Sequence, residues 1–178
     1  MIAGILTTIY FFLPAGVANM APVLVKKLNL FNYPIDCNAK LNNKPILGKN
    51  KTFRGLIFGT IFSIITIYLQ FIISRTYPNL SIINYANYNL IWLGFLLGFG
   101  ALFGDICKSF FKRLNNIESG KSWTPFDQID WVVGGIVFTM FLINYSTSQI
   151  LTLLIFFGSI HPIVNIIGWK LEIKKNKF

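Results

Sequence analysis

The stretch GLIFGTIFSIITIYLQFIIS, residues 55–74, has no charged side chain, and Gln70 is the only strongly polar residue in its interior. A helix needs about 20 mostly apolar residues to cross the hydrocarbon core of a bilayer, and this stretch has that length. Four other stretches have a similar length and character: 2–25, 89–104, 125–143 and 150–169. The sequence therefore predicts an all-α, polytopic integral membrane protein with five transmembrane helices, folded as one transmembrane domain over residues 1–178.

The composition supports a membrane protein and argues against a soluble one. Of the 178 residues, 54% are hydrophobic and only 12% are charged, whereas soluble domains carry about 25% charged residues. The formal net charge is nevertheless +10, so the basic groups must be concentrated in loops. A nucleic-acid-binding protein would spread this charge over a soluble face. Basic loops beside an apolar body instead suit anionic headgroups and phosphate-bearing substrates.

The distribution of basic residues predicts the orientation in the membrane. All but one of the 16 basic residues fall in the segments between predicted spans one and two, between three and four, or after span five, and Arg75 alone lies on the other side. By the positive-inside rule the basic side is cytoplasmic. We therefore expect a multi-pass cell-membrane protein with its N-terminus outside and its C-terminus in the cytoplasm.

Glycines spaced by four predict places where helices pack closely. Three such pairs occur in the predicted spans: Gly55 and Gly59, Gly94 and Gly98, Gly100 and Gly104. Small residues at this spacing let helix backbones approach in lipid, although small residues are also simply common in membrane helices.

The segment GDICKSFFKR, residues 104–113, follows the third apolar run. Asp105, Lys108 and Lys112 are spaced i, i+3 and i+7, so they share one face if the helix continues. An aspartate at the membrane boundary is costly unless it is paired or binds a cation. The simplest alternative to a functional site is an interfacial salt bridge between Asp105 and Lys108.

The segment WTPFDQID, residues 123–130, precedes the fourth apolar run and has the pattern of a helix start. We expect Thr124 to cap this helix, Pro125 to occupy its first position and Asp127 to act as a capping-box acid. Asp127 and Asp130 are one turn apart, so their carboxylates can face the same way. Both acids could instead merely complement the positive end of the helix dipole.

Together the two segments predict a metal–phosphate site on the cytoplasmic side. Carboxylates hold Mg²⁺, which keeps open positions for phosphate oxygens, and a second cation could lie between the same acids. The metal candidates are Asp105, Asp127 and Asp130. Lys108, Lys112 and Arg113 would neutralise phosphate charge. This combination fits attack at a nucleotide phosphate with pyrophosphate as the leaving group.

Three further regions are candidates for substrate binding. The basic segment GKNKTFRG, residues 48–55, lacks a complete Walker A pattern, but Lys51, Thr52 and Arg54 could hold a triphosphate. Ordinary positive-inside charge is the alternative. Asn19 lies between two prolines in the first span, and His161 and Asn165 are four apart in the fifth. These polar residues either line the substrate cavity or make interhelical hydrogen bonds around kinks.

These motifs resemble the CDP-archaeol synthase family, the archaeal branch of the membrane CTP:phospholipid cytidylyltransferases, which are related to CDP-diacylglycerol synthases. The resemblance covers most of the chain. Its motifs are residues 14–22, 51–55, 104–113, 125–130 and 161–168. The resemblance implies a five-span cytidylyltransferase that depends on Mg²⁺. Such an enzyme transfers CMP from CTP to an isoprenoid ether glycerol phosphate of the geranylgeranyl type, giving a CDP-archaeol-type lipid and pyrophosphate.

The resemblance also suggests roles for single residues. In the wider group the aspartates that match Asp105 and Asp127 are metal ligands, and Asp130 lies in the same signature. The bacterial-type signature has Lys-Asp where this chain has Lys112-Arg113, and this difference favours the archaeal branch. The expected partners are CTP, the lipid phosphate and the bilayer, with no nucleic acid and with a homodimer left open.

Two alternatives remain open on the sequence. A CDP-diacylglycerol synthase would perform the same reaction on phosphatidate. A small membrane transporter or channel subunit would instead place charged residues along a path near the midplane, whereas the acids here cluster at one face.

Overall fold

A computed structural model describes residues 2–41, 44–48, 50–118 and 121–170. Lys49, Lys174, Lys175 and Lys177, which count as cytoplasmic charges in the sequence, lie outside the described residues. These residues form five α-helices, α1 (Ile2–Leu24), α2 (Phe53–Thr76), α3 (Leu90–Leu114), α4 (Phe126–Thr139) and α5 (Thr147–Lys170). Two short antiparallel strands, β1 (Lys40–Leu41) and β2 (Lys44–Pro45), lie between α1 and α2. The prediction of a helical fold is confirmed, apart from this small hairpin.

Among the described residues, four helices are long and apolar enough to cross a membrane: Ala3–Lys27, Phe53–Thr76, Leu90–Leu114 and Thr147–Lys170. They confirm an integral membrane protein. The fourth predicted span is shorter than expected, because α4 has 14 residues and is about 21 Å long at 1.5 Å per residue. It ends at Thr139, whose carbonyl accepts from the amides of Leu142 and Ile143 and whose hydroxyl lies 2.8 Å from the Tyr145 hydroxyl. This turn ends the helix before Ile143.

Helix α1 is continuous although the sequence suggests interruptions at Pro14 and Pro22. Pro14 has no amide hydrogen to donate to the carbonyl of Tyr10, four residues earlier. The side-chain amide of Gln70, in α2, donates to that carbonyl instead. Gln70 is itself 2% exposed, and its other amide atom, Oε1, accepts a 3.0 Å hydrogen bond from Tyr85. A neighbouring helix thus replaces the missing backbone donor, as is usual for prolines in membrane helices.

Helices α1, α2, α3 and α4 alternate in direction, so that α1 and α3 end where α2 and α4 begin. We call this end of the bundle the charged end, and the end that carries the 77–89 loop the opposite end. The three predicted glycine pairs all lie at helix contacts. The closest contact joins α3 to α4: a Cβ atom on Gly104 would lie 2.3 Å from the Asp130 carbonyl oxygen, and one on Gly134 would lie 2.2 Å from that of Gly100. The two backbones can touch only because these positions lack side chains.

Candidate active site

Helix α3 supplies three charged side chains to one face. Asp105, Lys108 and Lys112 have the spacing that predicts this face. The structure brings the two lysines against the first turns of α4, and Asp105 is paired with Lys108. The ammonium groups of Lys108 and Lys112 reach the same carboxylate, Asp127, at 2.7 and 3.0 Å. The shared face predicted from the spacing is therefore present.

The start of α4 differs from the expected capping arrangement. The helix begins at Phe126, one residue later than expected, and Pro125 takes the N-cap position without a side-chain cap. The Thr124 hydroxyl instead lies 3.2 Å from Ser122 Oγ and accepts from Gln128. The Asp127 carboxylate accepts from the backbone amide of Trp123. Asp127 therefore fixes the preceding loop, and the same bond holds the Asp127 carboxylate towards α3.

Lys108 is the centre of the cluster. Its Nζ atom lies 3.2 Å from Asp105 Oδ1, 2.7 Å from Asp127 Oδ1 and 3.0 Å from Asp130 Oδ2. Three carboxylates from two helices thus surround one ammonium group. The contact between Gly104 and the Asp130 carbonyl brings Asp130 close enough to take part, since Gly104 directly precedes Asp105 in α3.

Two more lysines complete the charge balance. Lys112 contacts both oxygens of Asp127, at 3.1 and 3.0 Å, and Lys51 forms an ion pair with Asp105 from the segment before α2. We call the six residues Lys51, Asp105, Lys108, Lys112, Asp127 and Asp130 the aspartate–lysine cluster. Their side chains are between 5% and 20% exposed. Three negative and three positive groups therefore compensate one another in a largely dehydrated site.

The donor set suits a divalent cation. Carboxylate oxygens are the ligands that Mg²⁺ prefers, and the three aspartates already converge on a positive charge. Asp130 Oδ2 is buried and, although Lys108 Nζ is 3.0 Å away, it makes no hydrogen bond of acceptable angle. Within the described ranges, no three carboxylate, imidazole or thiol groups are arranged so that they could hold a metal ion directly. At the aspartates, the Lys108 ammonium group occupies the point on which the three carboxylates converge. A metal would therefore require the Lys108 ammonium group to move.

A small pocket adjoins the cluster on the side of Lys51. Lys51, Thr52 and Asp105 form its polar wall, and Pro22, Leu56 and Leu102 form its apolar wall. Thr52 itself caps α2, because its hydroxyl accepts a 3.3 Å hydrogen bond from the Gly55 amide. The pocket thus joins three helices at the charged end.

The other predicted site residues do not contact the cluster in the described contacts. Arg54 is 7% exposed and donates to the Leu28 carbonyl. Arg113 is half-buried at the end of α3 and forms no ion pair within the described residues. Asn19 is half-buried in α1. His161 and Asn165 lie 3.4 Å apart along α5, so their described contact is within one helix.

Two features of the site escape sequence reasoning. The ion pair between Lys51 and Asp105 joins residues 54 positions apart, and no local pattern indicates such a contact. Gly134 allows α4 to touch α3, and its neighbour Gly135 packs on Phe12. The adjacent glycines in the fourth apolar run were the available signal for this contact.

The chain is similar to proteins of one family over its whole length. A family model described as "CarS-like: CDP-archaeol synthase" matches residues 1–178. A CDP-archaeol synthase of Methanococcus maripaludis strain C7 is 36% identical, over 95% of this chain and 94% of its own length. One from Sulfolobus acidocaldarius is 30% identical, over 96% of each chain.

A solved structure gives a similar result. It is described as an intramembrane enzyme for archaeal membrane lipids biosynthesis. It is 26% identical to this chain and aligns with a TM-score of 0.69, covering 89% of this chain and 92% of its own. The likeness thus extends from the sequence to the arrangement of the helices.

Proposed function

The chain belongs to the CDP-archaeol synthase family, and from this membership we infer that it transfers CMP from CTP to the phosphate of an isoprenoid ether glycerol phosphate. A lipid phosphate oxygen bonds to the α-phosphorus of CTP, and the bond from that phosphorus to the oxygen bridging to the β-phosphate breaks. The products are a CDP-archaeol-type lipid and pyrophosphate. The observation that carries the inference beyond the family is the aspartate–lysine cluster at the charged end of a membrane helix bundle.

The chemistry needs little help from a general base. A phosphate monoester has a second pKa of about 6, so the attacking oxygen is already ionised near neutral pH. Transfer then depends on positioning and on neutralising charge. This requirement matches a site made of carboxylates and ammonium groups.

We propose that Asp105, Asp127 and Asp130 hold Mg²⁺. When bound there, Mg²⁺ would supply positive charge that neutralises phosphate charge. The support is the convergence of the three carboxylates on one positive charge and the buried Asp130 oxygen without a hydrogen bond. Both features suit an added cation.

The lysines provide the complementary half of the site. Lys108 and Lys112 are held by carboxylates, and their ammonium groups, once released, can pair with phosphate oxygens. Their low exposure strengthens such pairing, because little water screens it. Lys51 lies beside the pocket and can bind either the triphosphate or the lipid phosphate. Arg113, at the end of α3, would add positive charge for the departing pyrophosphate.

We further propose the five-span topology, with the N-terminus outside and the C-terminus and the site on the cytoplasmic side of the cell membrane. In this topology α4 and residues 140–146 together make the fourth crossing. The support is the concentration of basic residues beside the charged end. All six residues of the cluster come from one chain, so the proposed chemistry does not require a homodimer.

The test is a substrate matrix with the purified protein in vesicles. Each of the four nucleoside triphosphates is supplied with Mg²⁺ and either an isoprenoid ether glycerol phosphate or a diacyl phosphatidate, and pyrophosphate release is measured. We expect release with CTP and the ether lipid. Faster release with phosphatidate would favour the CDP-diacylglycerol synthase alternative, and no release with any pair would refute the proposed reaction.

A further inference from the structure

Segment 28–33, with the sequence LNLFNY, exposes large apolar side chains although it belongs to no membrane-spanning helix. The exposed fractions are 74% for Tyr33, 57% for Leu30, 55% for Phe31 and 43% for Leu28. Clustered apolar exposure of this kind marks a surface that contacts a membrane or another protein. The described contacts within the chain leave this surface uncovered.

The backbone of the segment is tied to the start of α2. The amide of Arg54 donates to the Phe31 carbonyl at 2.8 Å, that of Phe53 to Tyr33 at 3.0 Å, and that of Ile35 to Lys51 at 2.8 Å. The Arg54 side chain adds a bond to the Leu28 carbonyl. The buried arginine therefore has a function that its sequence position does not reveal, since it fixes this segment.

Phe31 shows how firmly the segment is held. Its φ angle is 51°, a left-handed conformation that is unusual for a bulky residue. Such a conformation persists only when surrounding bonds determine it. Here the bond from the Arg54 amide to the Phe31 carbonyl fixes it, and the side chain remains 55% exposed.

The segment adjoins the ends of two candidate membrane-spanning helices. It follows directly on the candidate span Ala3–Lys27, and its bonds reach residues at the start of the candidate span Phe53–Thr76. Lys26 and Lys27, both exposed, precede it, and no acidic residue occurs in the chain before Asp36. Positive charge beside exposed apolar side chains is the pattern of a segment that lies in an anionic membrane interface.

We propose that residues 28–33 insert into the headgroup region of the leaflet that borders the charged end, with Lys26 and Lys27 against anionic phospholipid headgroups. Ile35, just after the segment, lines the same pocket as Lys51 and Asp105. Insertion therefore sets the mouth of this pocket at headgroup depth. The proposal does not depend on the reaction, and it holds or fails without any measurement of catalysis.

Site-directed fluorescence tests the insertion in proteoliposomes. The full chain carries Cys37→Ser and Cys107→Ser, and an environment-sensitive fluorophore is attached at Leu30→Cys. Lys121→Cys, at a 67% exposed side chain in the loop between α3 and α4, is the control for water exposure. Leu69→Cys, on the exposed surface of α2, is the control for lipid exposure. Vesicles contain phosphatidylcholine with or without phosphatidylglycerol, and iodide is present on both sides of the membrane.

We expect the label at position 30 to be quenched by nitroxide lipids labelled near the headgroup and to be at least about threefold less accessible to iodide than the label at position 121. Phosphatidylglycerol should increase this protection, and Lys26→Gln with Lys27→Gln should abolish the increase. Equal iodide quenching at positions 30 and 121 would overturn the proposal. Protection from both iodide and nitroxide lipids would also overturn it and would indicate a protein partner instead. If protection from iodide depends neither on phosphatidylglycerol nor on Lys26 and Lys27, the proposed contact with anionic headgroups is refuted.

Discussion

The two ends of the bundle both bury polar groups but satisfy them in different ways. At the opposite end, Gln70 and Tyr85 are 2% and 1% exposed, and the described hydrogen bonds of their side chains are to neutral groups. Burial raises the pKa of Tyr85 to about 12, so its hydroxyl remains protonated and donates to Gln70. At the charged end, Asp130 is 5% exposed, and Lys108 is shared among three carboxylates. Neutral hydrogen bonds carry no net charge that a charged ligand could replace, whereas shared ion pairs can be exchanged for those of a charged substrate.

This difference predicts that removing polar groups at the two ends has different consequences. The largest loss of activity is expected for Asp105→Asn or Asp127→Asn, because each removes a proposed metal ligand. Metal stabilisation is worth several kcal/mol in such transition states, so turnover should fall by about 10³-fold or more. Steady-state rates at saturating Mg²⁺, measured on folded protein, check this expectation.

Glu118→Gln is the matched control for the aspartate variants. It also removes one carboxylate charge at the same end, but its ion pair with Lys121 is exposed, at 74% and 67%. Exposed pairs contribute little, so near-normal turnover is expected. A similar loss in Glu118→Gln, or near-normal turnover in Asp105→Asn, would contradict the assignment.

Lys108→Met should reduce turnover by about 10²-fold, as the loss of a transition-state donor does. It should also destabilise the protein in the absence of ligand by about 3–5 kcal/mol, because buried carboxylates lose their counter-charge. The informative measurement is the thermal unfolding midpoint with and without Mg²⁺ and without nucleotide. Mg²⁺ alone should raise the midpoint of this variant more than that of the wild type, since no lysine competes for the carboxylates.

Lys121→Met is the control, because it removes a lysine from an exposed pair. Its response to Mg²⁺ should equal that of the wild type. An equal response in Lys108→Met would mean that the lysine does not occupy the place of a cation.

Gly134→Ala tests whether the α3–α4 contact aligns the cluster. The added methyl group meets the Gly100 carbonyl at 2.2 Å, and the helices must separate. Overpacking of this kind costs about 1–3 kcal/mol, and a displacement of Asp130 from its neighbours should lower turnover by about tenfold to 10²-fold. Gly4→Ala, where nothing lies within 4 Å of the new atom, should change neither property for the worse.

The helices and the charged face follow from local patterns, whereas the assembly of the site does not. The apolar runs predict the helices, and the spacing of Asp105, Lys108 and Lys112 predicts their common face, because helix geometry alone determines both. The early end of α4 depends on a turn built by Thr139 and Tyr145, whose hydroxyls meet only after folding. The sequence therefore predicts a fourth helix that is longer than the one observed.

Lys51 and Arg54 illustrate the same limit. They are three residues apart and equally basic, and the sequence assigns both to phosphate binding. In the structure Lys51 precedes the helix and reaches Asp105, while Arg54 lies in the first turn of α2 and bonds to Leu28. The two residues have different roles because α2 begins between them and because Arg54 bonds to a segment more than 20 residues upstream.

The smallest effect on activity is expected for Gln70→Leu at the opposite end. The variant leaves the Tyr10 carbonyl without a donor, because Pro14 cannot supply one, and leaves the Tyr85 hydroxyl unpaired. Unsatisfied buried groups cost about 1–3 kcal/mol, so the unfolding midpoint should fall while turnover per folded molecule stays within about twofold of the wild type.

A double-mutant cycle with Tyr85→Phe isolates the contribution of the Gln70–Tyr85 pair. The double variant should recover part of the loss, because the tyrosine hydroxyl is no longer left without an acceptor. A large fall in turnover for Gln70→Leu at unchanged stability would break the contrast between the two ends. It would mean that the Gln70–Tyr85 hydrogen bonds also determine the positions of the aspartates. The polar groups of the two ends could then not be divided into structural and exchangeable ones.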